Sequence, residues 1–287
     1  MSCLHCYSRP EARAAANDLT TEQASRIVEQ LIEAEVMHVH FGGGEPLGRA
    51  DFIWNAETLA KTGMSITLST NGSLMTEEIA ERLAALSVDT VAFSIHGSDA
   101  NSHDSFNTFP GAWERLILAI ERMTRRGVKV KLVMTLTKQT APHAPRLIEL
   151  ANSWGVYMVQ FQSFKQYGNA NLNLLRLNMS RPNWLAAFRA IEAKRAAIEA
   201  TGSKLKVDLG LDSDPVLAAE IGLPSVLKKC ICGIHSVTIK PNGDIVPCSF
   251  VPEIIGNILQ HSTLLQIWQE SPVLRRLRTG SSSPCGK

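Results

Sequence analysis

Apolar residues along the chain recur with two different spacings, and these spacings alternate. The 3.6-residue period of a helix gives one apolar face after the potential cap Thr20: Ala24, Ile27, Val28, Leu31 and Ile32. A β-type run follows, and the same alternation then repeats along the chain. It predicts strands at 36–41, 66–69, 90–95, 128–137 and 156–161. Further helices are predicted at 50–62, 76–86, 110–126, 142–154 and 180–200.

Strands that alternate with helices indicate a parallel sheet with right-handed crossovers, which favours a full or partial βα barrel. Such a barrel collects its chemistry at the carboxyl ends of its strands. The pattern changes after a boundary between Gly202 and Lys229, where short β-type runs surround the turn-forming pair Asn242-Gly243. We therefore expect a first domain at 1–210 and a small second domain at 211–287.

Composition excludes several classes of protein. The 287 residues are 45% hydrophobic and 20% charged, which rules out a disordered, collagen-like or coiled-coil chain. The 29 Lys and Arg residues nearly balance the 27 Asp and Glu residues, so neither a nucleic acid nor a membrane is expected as a partner. No apolar run reaches the roughly 18 residues of a membrane span, and no signal peptide is recognisable. The expected location is cytoplasmic.

Six cysteines lie near the two ends of the chain: Cys3, Cys6, Cys230, Cys232, Cys248 and Cys285. In a reducing compartment, clustered cysteines indicate metal or redox groups rather than disulfides. The first two form the CxxC motif Cys3-Leu4-His5-Cys6-Tyr7. Alone, this motif is compatible with half a zinc site, a thioredoxin-type redox pair or part of an iron–sulfur site.

A second motif, Phe41-Gly42-Gly43-Gly44-Glu45-Pro46, lies at the carboxyl end of a predicted strand. Its three glycines allow the backbone to approach a ligand closely, and Pro46 stiffens the turn. By itself a glycine run is more typical of an ordinary turn. Its combination with the CxxC motif in a repeating βα chain makes it informative.

The two motifs together resemble those of the radical S-adenosylmethionine (SAM) enzymes. The resemblance implies an α/β fold, a partial (βα)6 TIM-like radical SAM barrel whose first strand is missing here. The family signature is CxxxCxxC, and its first cysteine would lie two positions upstream of Met1. We therefore expect a fragment truncated at both ends. It should be inactive alone, although its core between about Thr20 and Gly202 should fold.

Three further segments extend the resemblance. Ser69-Thr70-Asn71-Gly72 resembles the third-strand motif that contacts the SAM ribose, and Ser94-Ile95-His96-Gly97 resembles the fourth-strand segment, in which related enzymes often have Asp in place of His96. Tyr167-Gly168-Asn169-Ala170 is a weaker match to the sixth-strand glycine motif. His38 and His40 are expected to be sheet residues. The resemblance implies seven SAM-binding residues, of which the first three would present backbone groups to its amino end and the last three would contact its ribose or carboxylate: Gly43, Gly44, Glu45, Pro46, Ser69, Asn71 and Ser94.

The C-terminal cysteines resemble the start of the auxiliary-cluster domain called SPASM, or its shorter twitch form, with Gly243 lying between Cys232 and Cys248. Three further features fit the same region: Gly256-Asn257-Ile258, Trp268 and Cys285-Gly286-Lys287. The resemblance implies a small β-hairpin/α domain in which Cys232, Cys248 and Cys285 bind an auxiliary Fe–S cluster. Cys230 has no assigned role.

The resemblance also implies the chemistry. Cys3 and Cys6 would bind a [4Fe–4S] cluster that reduces SAM, and the resulting 5′-deoxyadenosyl radical would remove hydrogen from a substrate, with no side chain assigned as catalytic. Enzymes of this kind mostly modify ribosomally synthesised peptides. A second group acts on porphyrins in haem biosynthesis and shares the style of the fourth-strand segment. A flavodoxin or ferredoxin is the expected reducing partner.

Two other functions are compatible with the cysteines. A non-catalytic zinc- or cluster-binding scaffold would bind metal without SAM, and the Gly43–Pro46 motif argues against it. A disulfide oxidoreductase is disfavoured because the predicted strands and helices exceed those of a thioredoxin domain.

Overall fold

The strands of the main sheet follow one another in the order of the sequence. A computed structural model describes residues 3–6, 18–86, 88–210, 220, 231–250, 253–260 and 262–279. Within these residues the main sheet has six strands: β1 (His38–Phe41), β2 (Ser65–Thr70), β3 (Thr90–Ser94), β4 (Val130–Leu136), β5 (Met158–Ser163) and β6 (Lys206–Asp208). Each neighbouring pair from β2 to β6 is parallel, as the alternation of strands and helices predicts.

Helices connect these strands. Helix α1 (Thr21–Glu33) precedes β1, and the connecting helices are α2 (Phe52–Ala60), α3 (Glu77–Ala85), α4 (Ala100–Asn107), α5 (Ala112–Arg125), α6 (Ala144–Ser153), α7 (Asn169–Leu172), α8 (Leu174–Leu177) and α9 (Arg181–Glu199). The predicted helix ends before β2, β4, β5 and β6 coincide with glycines in the left-handed conformation: Gly63, Gly127, Gly155 and Gly202.

The two faces of the main sheet differ in chemistry because side chains alternate along each strand. One face carries buried apolar side chains, among them Leu68, Val91, Phe93, Leu132, Met134, Val159 and Phe161. The other face carries polar side chains that are only partly buried: Thr67, Ser69, Ser94, Lys131, Gln160 and Asp208. Helices α5 and α6 contact β3, β4 and β5. The polar face is therefore the side of the sheet that is available for polar ligands.

The predicted α/β architecture is confirmed. All five strands predicted for the main sheet and all six predicted helices are present, with ends that shift by no more than two residues. Among the strands of the main sheet and their connections, strand β6 and helices α4, α7 and α8 were not predicted; α7 and α8 have only four residues each. β6 has only three residues, which is too short to establish an alternating pattern. In α4 only Ala100 and Phe106 are apolar, so the helix has no periodic apolar face.

A small antiparallel sheet lies in the C-terminal region. It consists of β7 (Thr238–Ile239), β8 (Asp244–Val246) and β9 (Gly256–Asn257). The predicted hairpin turn is present, with Gly243 at a φ of +83° and its amide donating to the Lys240 carbonyl at 2.9 Å. Of the β-type run before this turn, only Thr238–Ile239 form a strand, because residues 231–236 form turns instead.

Helix α1 packs against this small sheet. Its Ile27 belongs to a buried apolar cluster with Ile245, Ile258, Leu264 and Ile267. The last two of these residues lie in α10 (Leu264–Glu270), which α11 (Pro272–Arg278) follows.

A polar contact also joins α1 to this region. Gln30 Nε2 donates to the Ile258 carbonyl at 3.0 Å, and Gln30 Oε1 accepts from the Leu264 amide at 2.8 Å. That amide lies in the first turn of α10, where it has no partner within the helix. One side chain of α1 thus provides hydrogen-bond partners for both the carbonyl that follows β9 and the first amide of α10.

The described residues divide into two compact units. The first takes residues from 1–9, 40–53 and 65–228, and the second takes residues from 10–39, 54–64 and 229–287. The second unit thus includes α1 together with the small sheet. The boundary expected between residues 210 and 211 stays a prediction. None of the described helices combines the length and the apolar character that a membrane span requires.

Replacing Gln30 by Ala should lower the free energy of unfolding by about 1–2 kcal/mol, because a partly buried amide and a carbonyl lose their partner. Glu29→Ala on the exposed face of the same helix is the matched control and should change it by less than about 0.5 kcal/mol. Urea unfolding followed by circular dichroism measures both values. Equal effects of the two substitutions would contradict the role of Gln30.

Candidate functional site

Three loops that carry predicted site residues follow neighbouring strands. Residues 42–46 follow β1, residues 71–73 follow β2 and residues 95–97 follow β3. Loops at the carboxyl ends of neighbouring parallel strands lie at one edge of the sheet. The fold therefore brings these segments, which are far apart in sequence, to the same place.

The glycine loop after β1 presents bare backbone. Gly42, Gly43 and Gly44 are exposed, and Gly43 has a φ of +107°, which strains any side chain other than that of glycine. A Cβ built on Gly43 would meet no atom within 4 Å. The loop therefore borders open space at this point. Pro46 is buried and begins a short 3-10 helix over Pro46–Gly48, which anchors the other end of the loop.

The Glu45 carboxylate joins the glycine loop to the end of β2. Its Oε1 accepts from the Thr70 hydroxyl at 2.7 Å and from the Leu47 amide at 3.1 Å, and its Oε2 accepts from the Asn71 amide at 2.8 Å. Burial raises the pKa of this carboxyl, and the three hydrogen bonds oppose the rise. Glu45 thus holds two loops in register, a role that the sequence did not suggest.

Two of the predicted SAM contacts keep an unused polar group. Asn71 Oδ1 accepts from the Ser73 amide at 2.8 Å, while Asn71 Nδ2 has no partner among the described residues. The Ser94 hydroxyl likewise has none within the described part of the chain. Both groups can therefore bind a ligand without breaking a contact.

Ser69 differs from these two residues because its hydroxyl is already engaged. It lies 3.1 Å from His40 Nε2, and His40 Nδ1 lies 2.8 Å from the Thr67 hydroxyl. His40 therefore links β1 to β2, in agreement with its expected role as a sheet residue.

The CxxC motif forms a turn in which the Cys6 amide donates to the Cys3 carbonyl at 3.2 Å. Helix α4 holds the turn on one side, since the Leu4 amide donates to the Phe106 carbonyl at 3.2 Å. On the other side the Asn169 amide donates to the Cys6 carbonyl at 2.8 Å, and Asn173 Nδ2 donates to the Leu4 carbonyl at 3.2 Å. Three backbone groups of the turn are thus fixed from outside it.

The chemistry of this turn fits thiolate ligation. Cys3 and Cys6 are partly buried, and Cys3 Sγ lies 3.1 Å from Asn107 Oδ1. Burial raises the pKa of the Cys3 thiol to about 11, and the nearby Cys6 adds to the rise. A bound cation would reverse this effect. The turn supplies two thiolates, and the described residues contain no group of three or more His, Cys, Asp or Glu side chains that could hold a metal ion.

A buried histidine cluster surrounds the turn. The rings of His5 and His96 are 4.3 Å apart, and each lies close to the ring of Phe106. His96 is 3% exposed, and neither of its ring nitrogens has a hydrogen-bond partner in the described part of the protein. Burial, with His5 and His103 adding to it, lowers the pKa of His96 well below its usual range. His96 is therefore a neutral, buried residue at the carboxyl end of β3.

The predicted C-terminal ligands lie on either side of the β7–β8 hairpin. Cys232 is partly buried in the turn before β7, and Cys248 is buried just after β8. Gly256 is packed so tightly that a Cβ would lie 2.7 Å from Ile267. The Arg278 guanidinium lies 4.1 Å from the centre of the Trp268 ring. Tyr7, Cys230 and Cys285 lie outside the described residues.

Comparison with known proteins decides the family. The model of the radical SAM superfamily matches residues 1–151, more than half of the chain. The chain belongs to the radical SAM superfamily. A model of the SPASM iron–sulfur cluster-binding domain matches residues 230–287. This membership confirms the predicted radical SAM enzyme class and implies a [4Fe–4S] cluster, SAM and an auxiliary Fe–S cluster as cofactors.

Relatives of this radical SAM chain include both substrate classes that the sequence left open. It is 26% identical to the AdoMet-dependent heme synthase of Methanosarcina barkeri, over 97% of this chain and 81% of that protein. It is 28% identical to the mycofactocin maturase MftC of Mycolicibacterium smegmatis, over 100% of this chain and 72% of that protein.

A solved structure shows the same fold. Streptococcus suis SuiB bound to its precursor peptide SuiA matches 99% of this chain with a TM-score of 0.75 and 18% identity. The chain spans 65% of the SuiB chain.

Sequence reasoning missed the residues that hold the CxxC turn. Asn107 and His103 lie on α4, which has no apolar period, and Asn173 lies beyond any quoted motif. Asn169 belongs to the weakly matching glycine segment. The sequence did contain one signal for this pair. His103 and Asn107 are four residues apart, and polar residues at that spacing lie on the same face of a helix, where they can act together.

Replacing Glu45 by Ala should accelerate amide hydrogen exchange at Asn71 and Leu47, because both amides lose their acceptor. The free energy of unfolding should fall by about 1–3 kcal/mol. Glu81→Ala, an exposed substitution in α3, is the control and should alter neither quantity. If exchange at Asn71 is as slow in Glu45→Ala as in the control, Glu45 does not join the two loops.

Proposed function

We propose that this protein reductively cleaves SAM and abstracts hydrogen from a ribosomally synthesised peptide. The observation that carries the proposal is the convergence of the CxxC turn, the glycine loop and the loops after β2 and β3 in one compact unit of a radical SAM chain. When bound, the cluster and SAM supply the electron and the 5′-deoxyadenosyl radical. The protein supplies ligands, orientation and exclusion of water.

Individual residues have the following proposed roles. Cys3 and Cys6 provide thiolates to the cluster. The backbone of Gly43 and Gly44, with Glu45 and Pro46 fixing the loop, binds the amino end of SAM. Ser69, Asn71 and Ser94 contact its ribose or carboxylate. The unpartnered Asn71 Nδ2 and Ser94 hydroxyl support this role more strongly than the engaged Ser69 hydroxyl does. Cys232, Cys248 and Cys285 bind the auxiliary cluster.

The polar face of the sheet supports a peptide as the substrate. Gln160 Nε2 donates to Asp208 at 2.6 Å, and Gln162 Nε2 donates to Gln160 Oε1 at 3.2 Å. Lys131, one strand away, is partly buried and has no hydrogen bond or ion pair among the described residues. Mixed charges and amides suit the polar backbone of a peptide, whereas a porphyrin ring requires a broad apolar slot. The maturase relatives agree with this choice.

A porphyrin is the second candidate substrate. It is favoured by the heme synthase relative, which covers 97% of this chain. A flavodoxin or ferredoxin is the proposed electron donor for either substrate. The proposal places the reaction in the cytoplasm, where a reducing environment preserves thiolate ligands.

With iron and sulfide supplied anaerobically, the protein produced from its complete gene (the full-length protein) should release 5′-deoxyadenosine from SAM after reduction with dithionite. Replacing Cys3 and Cys6 by Ala should abolish this release, because the cluster that reduces SAM loses its ligands. Replacing Cys232 and Cys248 by Ala should spare it. Equal loss in both double variants would contradict two separate sites, and no release from the parent would favour a non-catalytic scaffold.

The same assay separates the two substrates. Precursor peptides encoded beside the gene and a porphyrin with propionate side chains are added in turn, and each product is weighed by mass spectrometry. A mass change in a peptide supports the proposal. A change confined to the porphyrin would replace it with the second candidate.

A further inference from the structure

We infer that Asn107 is a positioning residue that donates an N–H hydrogen bond to the Cys3 thiolate, and that His103 and the backbone of His96 set its orientation. The inference rests on the proposed role of Cys3 as a cluster ligand. Asn107 lies on α4, outside the cysteine, glycine and strand-end motifs.

Four groups form a continuous chain of short contacts. The His96 amide donates to His103 Nδ1 at 3.1 Å. The Asn107 amide lies with its Nδ2 2.8 Å from His103 Nε2 and its Oδ1 3.1 Å from Cys3 Sγ. His103 and Asn107 are four residues apart on α4 and are both buried, at 1% and 3% exposure. Helix geometry thus keeps the two side chains in register.

The donors and acceptors in this chain allow only one consistent assignment. A backbone amide always donates, so His103 Nδ1 must accept from His96. A neutral imidazole carries one N–H, which must then reside on Nε2 and point at Asn107. With Nδ2 at that place two N–H donors would face each other, so we assign the amide turned by 180°, which is permissible because the oxygen and nitrogen of an Asn amide are assigned from their partners. The Asn107 oxygen then accepts the proton of His103 Nε2. The NH2 group of Asn107 therefore faces Cys3 Sγ.

Burial supports the neutral state of His103. It lowers the pKa of the His103 imidazole to about 4, although the neighbouring Asp104 carboxylate opposes the change. A doubly protonated ring would also set its Nδ1–H against the His96 amide, two donors face to face. The neutral Nε2–H tautomer avoids both the burial of a charged ring and the contact between two N–H donors.

An N–H donor aimed at sulfur suits a thiolate ligand better than a thiol. Hydrogen bonds to the sulfurs of an Fe–S cluster stabilise its more negative, reduced state and raise its reduction potential. Asn107 would thus do more than hold the turn in place. It would tune the ease with which the cluster accepts its electron.

The tautomer is tested first, on the metal-free full-length protein labelled with 15N-histidine. Two-bond 1H–15N spectra should show His103 with its proton on Nε2, and the spectrum of His103→Gln identifies its signals. A proton on Nδ1 would overturn the inference. This measurement needs no cluster, so it decides the amide orientation even if the proposed function fails.

The effect on the cluster is tested with Asn107→Leu and Asn107→Asp in the reconstituted protein. The reduction potential is followed by the EPR signal that SAM perturbs, which selects the N-terminal cluster. The potential should fall in Asn107→Leu, which loses the donor, and fall further in Asn107→Asp, which adds negative charge. Asn101→Asp, exposed on the same helix, is the control and should match the parent.

Unchanged potentials in both Asn107 variants would overturn the inference, even if His103 has the expected tautomer. If neither variant folds, the tautomer measured in the parent still decides the orientation of the amide. If the parent forms no cluster that SAM perturbs, the proposed function fails, and the donor bond to a cluster ligand fails with it.

Discussion

The hydrogen bonds that hold residues 3–6 between α4 and α7 are the constraint on which the site depends. The CxxC turn has only four residues and little apolar surface of its own. Its position is therefore set by hydrogen bonds with residues of other elements. Phe106 and Asn107 come from α4, while Asn169 and Asn173 come from the region after β5. The two thiols are thus placed by the crossover helices of the barrel.

The same principle applies to the other loops of the site. The Glu45 carboxylate holds the loops after β1 and β2 together through hydrogen bonds to the end of β2. The backbone of the neighbouring glycine loop borders open space at Gly43. His40 similarly ties β1 to β2 through Thr67 and Ser69. In both cases a side chain within or beside a recognisable motif holds neighbouring strands or loops together. The Glu45 hydrogen bonds are partly buried, so breaking one of them is more costly than breaking an exposed one.

The sequence predicts the elements well but the supports of the site poorly. Strands β1–β5 and the helices α1, α2, α3, α5, α6 and α9 have clear apolar periods, and packing in the core preserves those periods. Helix α4 has no periodic apolar face, so the sequence pattern did not predict it. This helix nevertheless carries His103 and Asn107. The position of Gln30 could not be predicted either, because its partners Ile258 and Leu264 are more than two hundred residues away. Long-range polar contacts depend on the finished fold.

The central claim is that Cys3 and Cys6 of the CxxC turn would hold the [4Fe–4S] cluster that reduces SAM. It is tested most directly by electron–nuclear double resonance on the reduced full-length protein with SAM that carries 15N in its amino group. The account predicts a 15N hyperfine coupling to the cluster, retained in Cys232→Ala/Cys248→Ala and lost in Cys3→Ala/Cys6→Ala. Absence of the coupling in the parent, or its persistence without Cys3 and Cys6, would contradict the claim.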